Sequence, residues 1–210
     1  MRKICCCTGH RPKGFSWDYE DKTLREHKEY LGYLAYLVED FIKDGYDWSI
    51  SGGAIGADMD FAETVIALRE RYPHIRLEIA APCKQQDRKW READKARYQA
   101  ICAQADEINV LSPYYTAWCM DRRNRYMVDK ADLVLAIWNG RKTGDTYQTQ
   151  QYAQKKDKQV EYIMLPPVER LSTEDFADYL IEHGGSLEER ISKYNGMKRV
   201  RERIREKDFE

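Results

Sequence analysis

Ser51-Gly52-Gly53-Ala54-Ile55-Gly56-Ala57-Asp58 is the stretch that decides the fold of this chain. It follows a short apolar run, Trp48 to Ile50, that is typical of a buried strand, and it precedes a segment with apolar residues at helical spacing. A strand, a glycine turn and a helix place unpaired backbone N–H groups at the positive end of a helix dipole. This arrangement suits a phosphate or another anion.

A second glycine loop, Trp138-Asn139-Gly140-Arg141-Lys142-Thr143-Gly144-Asp145-Thr146, has the same setting. It follows the apolar run Leu133 to Ile137 and precedes a stretch of helical character. The first loop has neither the spacing of a dinucleotide fingerprint nor the Gly-Lys-Ser/Thr of a Walker A loop, and its glycines would also serve a tight strand-to-helix turn. If both loops lie at one edge of one sheet, they form a nucleotide-sized cleft.

Apolar runs alternate with longer amphipathic stretches along most of the chain, which predicts a Rossmann-like, doubly wound α/β fold with a mostly parallel sheet and helices on both faces. Strands are predicted at about 4–7, 48–51, 76–80, 107–111, 133–138 and 160–164. Helices are predicted at about 24–43, 61–72, 93–103, 120–130 and 146–156. We expect this domain to cover residues 1–166, and residues 167–210 to form a helical C-terminal extension with helices at about 173–183 and 186–207.

Composition narrows the class of protein. The chain has 210 residues, a formal net charge of -1 and 34% charged residues, so no whole-chain field favours nucleic acid or a membrane. No apolar run approaches a membrane span, and the N-terminus does not resemble a signal peptide. The six cysteines form no C-x-x-C pair, so their spacing gives no support for a metal site. We interpret all six as reduced thiols of a cytoplasmic protein. We expect no cofactor.

Several motifs together resemble one known family. They are Cys7-Thr8-Gly9-His10-Arg11-Pro12, the loop from Ser51 to Asp58, the stretch Arg122 to Asp129, and Ala131-Asp132 before the fifth strand. In this order they resemble the YpsA-type family of the SLOG superfamily, over about residues 1–165. The resemblance implies a Rossmann-like fold with a nucleotide-derived ligand at the strand ends, and for this subgroup it implies no established reaction.

Comparison with other SLOG proteins bears on catalysis. The LOG nucleotide hydrolases carry M-x-x-R-x-x-x-M, which Met120, Arg123 and Met127 match, and a second motif ending in a glutamate. At the position of that glutamate this chain has Thr149, which lacks the carboxylate that glycosidic-bond cleavage needs. The second loop also departs from the family's Gly-Gly-Thr, because Asp145 stands at its centre. A carboxylate there favours a sugar hydroxyl or a base over a phosphate.

We expect the ligand-binding residues to come from the loops that end the central strands. Arg11 can clamp a phosphate and His10 can donate to one, although both also suit a locally bonded turn. Arg122, Arg123 and Arg125 cannot all face one way, and the LOG comparison favours Arg123 as the inward one. Any of Trp17, Trp90, Trp118 and Trp138 can stack a base, although core packing is favoured for each. Trp138 and Asn139 are the better candidates, because they end the fifth strand. The predicted set is Thr8, Gly9, His10, Arg11, Ser51, Gly52, Gly53, Gly56, Asp58, Arg123, Asn124, Trp138, Asn139, Gly140, Gly144, Asp145 and Thr146.

Three functions stay open on the sequence. The first is a sensor or regulatory protein that binds a nucleotide-derived small molecule such as an ADP-ribose-like ligand, a guess that comes from the superfamily. The second is a hydrolase of a nucleotide N-glycosidic bond, against which Thr149 argues. The third is a DNA-binding relative of DprA, against which the near-neutral charge argues. The number of chains in the assembly, including a homo-oligomer, also stays open.

Overall fold

The computed structural model of the protein describes residues 2–166. The strands are β1 Lys3–Gly9, β2 Tyr46–Ser51, β3 Arg76–Ala81, β4 Glu107–Val110, β5 Leu133–Trp138 and β6 Gln159–Met164. The helices are α1 Arg25–Lys43, α2 Ala57–Leu68, α3 Glu92–Gln104, α4 Cys119–Lys130 and α5 Asp145–Lys155. The predicted order of elements is confirmed. A single 3₁₀ turn, Pro12–Gly14, was not predicted, and the helices predicted at 173–183 and 186–207 lie outside the described residues.

The six strands form one all-parallel sheet in the order β4-β3-β2-β1-β5-β6. The chain builds outward from β1 to β4 on one side and then returns to place β5 on the other side of β1. The strand order therefore reverses between β1 and β5. In open α/β sheets the crevice outside the carboxyl ends of the strands at such a reversal is the usual ligand site.

Alternating side chains of the strands supply two cores, one on each face of the sheet. Cys5 and Cys7 belong to the core that packs against α1, α2 and α3, whereas Cys6 belongs to the core under α4 and α5. All three cysteines are buried, and they act here as small apolar residues. All six cysteines are free thiols. The cores hold the carboxyl ends of β1, β2 and β5 close together beneath the first turns of α2 and α5.

Candidate functional site

A cavity of about 670 Å³ opens at the carboxyl edge of the sheet, beside the reversal of strand order. A volume of this size is in the range of small-molecule and cofactor sites. Its walls come from the loops after β1, β2, β3 and β5 and from one face of α4. Most of the predicted ligand-binding residues line it, namely Thr8, Gly9, His10, Arg11, Asp58, Arg123, Asn124, Asn139, Gly144, Asp145 and Thr146.

The other predicted residues do not line this cavity. They are Ser51, Gly52, Gly53, Gly56, Trp138 and Gly140. Ser51 is fully buried, and its Oγ donates to the carbonyl of Asp58 at 2.7 Å. Trp138 is buried, with its indole N–H donating to the carbonyl of Arg141 at 2.8 Å and its ring stacked on Tyr147. These residues shape the two glycine loops from within.

At the wall of the cavity, Arg123 of α4 and Asp58 of α2 form an ion pair. The distance from Arg123 Nη1 to Asp58 Oδ2 is 3.3 Å, and both side chains are more than nine-tenths buried. Arg123 Nε also donates to Asn124 Oδ1 at 2.7 Å. Burial raises the pKa of Asp58, although the guanidinium of Arg123 acts in the opposite direction. The prediction that Arg123 faces inward is confirmed, whereas Arg125 pairs with Asp121 on the surface.

The first glycine loop uses several of its own donors internally. The backbone N–H of Ala57 donates to the carbonyl of His10 at 3.1 Å, and that of Ala54 donates to Asp58 Oδ2 at 3.4 Å. The Asp58 carboxylate therefore lies at the N-terminus of α2, where a negative charge is favourable. The amides that the sequence offered to an anion are partly taken by a side chain and by the loop after β1.

The second glycine loop leaves more room in front of it. Gly144 precedes the first turn of α5 with a φ of +86°, and no heavy atom lies within 4 Å of the place where its Cβ would be. Thr146 follows in that turn and is buried. Thr149, at the position where the LOG hydrolases have glutamate, is also buried, and its hydroxyl donates to the carbonyl of Asp145 at 2.7 Å. The N-terminus of α5 is thus open toward the cavity.

His10 lies at the rim of β1, with its ring against Gly14. Burial lowers the pKa of His10, which a hydrogen bond with Asn139 partly offsets, so the imidazole is neutral near pH 7. Its Nε2 atom is buried and has no partner among residues 2–166. The side-chain amide N–H of Asn139 donates to the carbonyl of Gly14 at 2.9 Å, which ties the loop after β5 to the loop after β1.

Arg123, which pairs with Asp58, and Arg141 are two of the six cations that line the cavity. Arg91 is held by Asp94 and by Glu20, each through a contact of 2.8 Å, and this contact with Glu20 joins two walls of the cleft. Arg11, Lys13 and Lys89 also line the cavity, and within residues 2–166 none of the three has a carboxylate within 4 Å. These three residues and Arg141 are positive charges that an anionic ligand could meet.

Trp90, and not Trp138, lines the cavity. Its ring meets that of Tyr98 edge to face, with centroids 5.4 Å apart, and the side chain is only partly buried. Lys89, Arg91 and Asp94, which the sequence did not single out, line the cavity with Trp90 and follow β3. The sequence contains one signal for these residues. Their polar segment directly follows a buried strand, so it lies at the same carboxyl edge of the parallel sheet as the glycine loops.

The described residues show two further absences that bear on function. Within residues 2–166, no group of three histidine, cysteine, aspartate or glutamate side chains is arranged to hold a metal ion. In the same part of the chain, every helix is too short or too polar to cross a membrane.

The fold and the cleft define a Rossmann-like α/β protein with a ligand-sized cleft at its switch point. Comparison with protein families then identifies the family: the family model YpsA, described as the YspA SLOG family, matches residues 5–167. The chain belongs to this family. A UPF0398 protein of Bacillus velezensis is 28% identical over 160 residues, which cover 73% of this chain and 85% of that protein. The UPF0398 protein YpsA of Bacillus subtilis is 26% identical over 166 residues, covering 76% and 89%.

Proposed function

We propose that the protein binds a nucleotide or a nucleotide-derived ligand, ADP-ribose-like in composition, and acts as a sensor or regulatory protein. The observation that carries the proposal is the cavity of about 670 Å³ at the strand-order reversal, which combines unpaired cations with carboxylates. A phosphate needs cations and amide donors, whereas ribose hydroxyls need acceptors. The six free thiols suit the reducing cytoplasm, where we place this binding.

The walls of the cleft suggest how such a ligand would lie. The phosphates would lie between Arg11, Lys13 and Lys89, because the amides of the first loop are partly occupied and the carboxylate of Asp145 stands in the first turn of α5. A ribose hydroxyl would donate to Asp58 or Asp145. The base would lie against the indole of Trp90, which is an aromatic residue of the cavity wall.

A thermal-shift screen of ADP-ribose, NAD, AMP, ADP and ATP against the full chain tests the proposal. A ligand at about 100 times its Kd adds about 2.7 kcal/mol to the free energy of unfolding. We expect Lys89→Ala to reduce the shift and Lys84→Ala, in the same loop but outside the cavity lining, to leave it unchanged. If no nucleotide shifts the melting temperature at millimolar concentration, the proposal fails.

A second candidate function is hydrolysis of a nucleotide N-glycosidic bond, which the carboxylate of Asp58 beside Arg123 favours. Water would attack C1′, the C1′–N bond would break with its electron pair passing to the base nitrogen, and that nitrogen would take a proton from solvent water. Asp58 would accept the proton of the attacking water. Release of free adenine from AMP by the wild-type chain, lost in Asp58→Asn, would establish this activity; we expect no release, because Thr149 replaces the glutamate of the LOG hydrolases.

A further inference from the structure

The exposed large apolar side chains of residues 2–166 all lie in one segment, residues 108–118, which we call the β4 edge segment. Ile108 and Val110 of β4 are 47% and 45% exposed, and Tyr114, Tyr115 and Trp118 in the following loop are 73–77% exposed. Exposed apolar residues scattered singly are ordinary, but their concentration in one short segment marks an interaction surface.

The strand of this segment is also an open edge of the sheet. β4 pairs only with β3 among the described strands, and the N–H of Leu111 points inward to the carbonyl of Ala81 at 2.9 Å. Because backbone direction alternates along a strand, the N–H and C=O groups of Ile108 and Val110 point outward. An edge of this kind is a template for pairing with another strand.

We infer that the β4 edge segment is the contact surface of a homodimer, in which β4 pairs antiparallel with β4 of a second copy about a two-fold axis. A strand edge is complementary to an identical edge in this orientation, so a second copy needs no further matched surface. With the axis at Asn109, Ile108 lies opposite the second copy's Val110, and their outward backbone groups form hydrogen-bonded pairs. Glu107 then lies opposite the second copy's Leu111, and no like charges meet.

The apolar area of the segment fits such an interface. Three aromatic side chains about three-quarters exposed present roughly 350–550 Å² of surface, since an aromatic side chain buries roughly 150–250 Å². A standard interface buries about 800 Å² on each partner, and Ile108 and Val110 add to the aromatic area. The loop of the segment leads directly into α4, because Trp118 immediately precedes the first residue of that helix.

Analytical ultracentrifugation of the full chain tests the dimer. We expect the wild type to sediment with twice the chain mass of 24.9 kDa. Val110→Lys places a charge on the paired edge, and Trp118→Ser removes exposed ring surface while supplying a good helix N-cap, so each should shift the mass to that of one chain. Gln159→Lys, the same kind of change on the opposite edge strand β6, should remain dimeric.

Circular dichroism shows whether each variant is folded, and Trp118→Ser in the loop keeps the test available if Val110→Lys unfolds β4. The inference is overturned if the wild type is a monomer at roughly 100 µM, a concentration well above the dissociation constants of standard interfaces. Another part of the chain or another protein would then cover the segment. A dimer that survives both substitutions overturns it as well, because association then uses another surface.

Discussion

Arg123 and Asp58, which are far apart in the chain, form a buried ion pair with 3.3 Å between Nη1 and Oδ2 at the wall of the cleft. The pair joins α4 to the first turn of α2 and lies against Gly52, where a Cβ would overlap the guanidinium. The geometry of the first glycine loop and the charge of the cleft therefore depend on each other.

Replacing Asp58 by asparagine should destabilise the fold, because it leaves the Arg123 guanidinium buried without its counter-charge. Loss of one partner of a buried pair costs about 3–5 kcal/mol. Asp121→Asn is the matched control, since it breaks the exposed pair with Arg125 and should leave the unfolding free energy near that of the wild type. Urea unfolding measures both. Equal losses in the two variants would show that burial of the Asp58 pair has no energetic weight.

Gly53 and Gly144 both have positive φ angles, but their surroundings differ. A Cβ on Gly53 would lie 2.7 Å from Tyr98 Cε2, whereas one on Gly144 meets nothing within 4 Å. Alanine at either position adds backbone strain of roughly 1–3 kcal/mol. Only Gly53→Ala adds overpacking, typically about 1–3 kcal/mol more, and Tyr98→Leu in the same chain should recover part of it. Thermal unfolding of the single and double variants checks this, and a larger loss for Gly144→Ala would contradict it.

Trp90→Ala should weaken nucleotide binding if the base stacks on its indole. Stacking of a base on an aromatic side chain contributes about 1–3 kcal/mol, so the Kd should rise roughly 5–150-fold. Trp118→Ala is the control of the same residue type, since Trp118 is 77% exposed and does not line the cavity. Isothermal titration calorimetry with the ligand found by thermal shift measures both variants. An unchanged Kd for Trp90→Ala would show that the base does not stack on Trp90.

Glu78 should contribute to the decrease in the free energy of unfolding at acid pH. Burial alone would raise the pKa of Glu78, but hydrogen bonds from Lys130, Tyr126, Trp48 and Asn109 outweigh it and lower that pKa below its ordinary value of 4.5. The stabilisation is therefore present above about pH 4.5 and is lost as the pH falls through the lower pKa of the folded state.

In Glu78→Gln the free energy of unfolding should fall less steeply below about pH 4.5, because the titrating carboxylate is gone. Glu92→Gln is the control, since the Glu92 side chain is 89% exposed. Urea unfolding midpoints measured at successive pH values from 7 downward give the dependence of stability on pH. If Glu78→Gln keeps the wild-type slope, other carboxylates set the acid stability.

The sequence alone predicted the order of the six strands and five α-helices among residues 2–166, because buried parallel strands are short apolar runs and their helices repeat apolar residues at helical spacing. It also predicted that both glycine loops end strands at one edge, and that Arg123 faces inward. The 3₁₀ turn at Pro12–Gly14 was missed, since a single turn leaves no periodicity to detect.

Only the tertiary structure decided which residues of those loops reach the cavity. Ser51 and Trp138 turn inward to local hydrogen bonds, while Trp90 and Lys89 reach the cleft from a loop with no glycine motif. The pairing of Asp58 with Arg123 and the position of β4 at an open edge were likewise invisible in the chain. The physical reason is that local pattern sets the conformation of each segment, whereas strand order and the contacts between distant segments follow from packing in three dimensions.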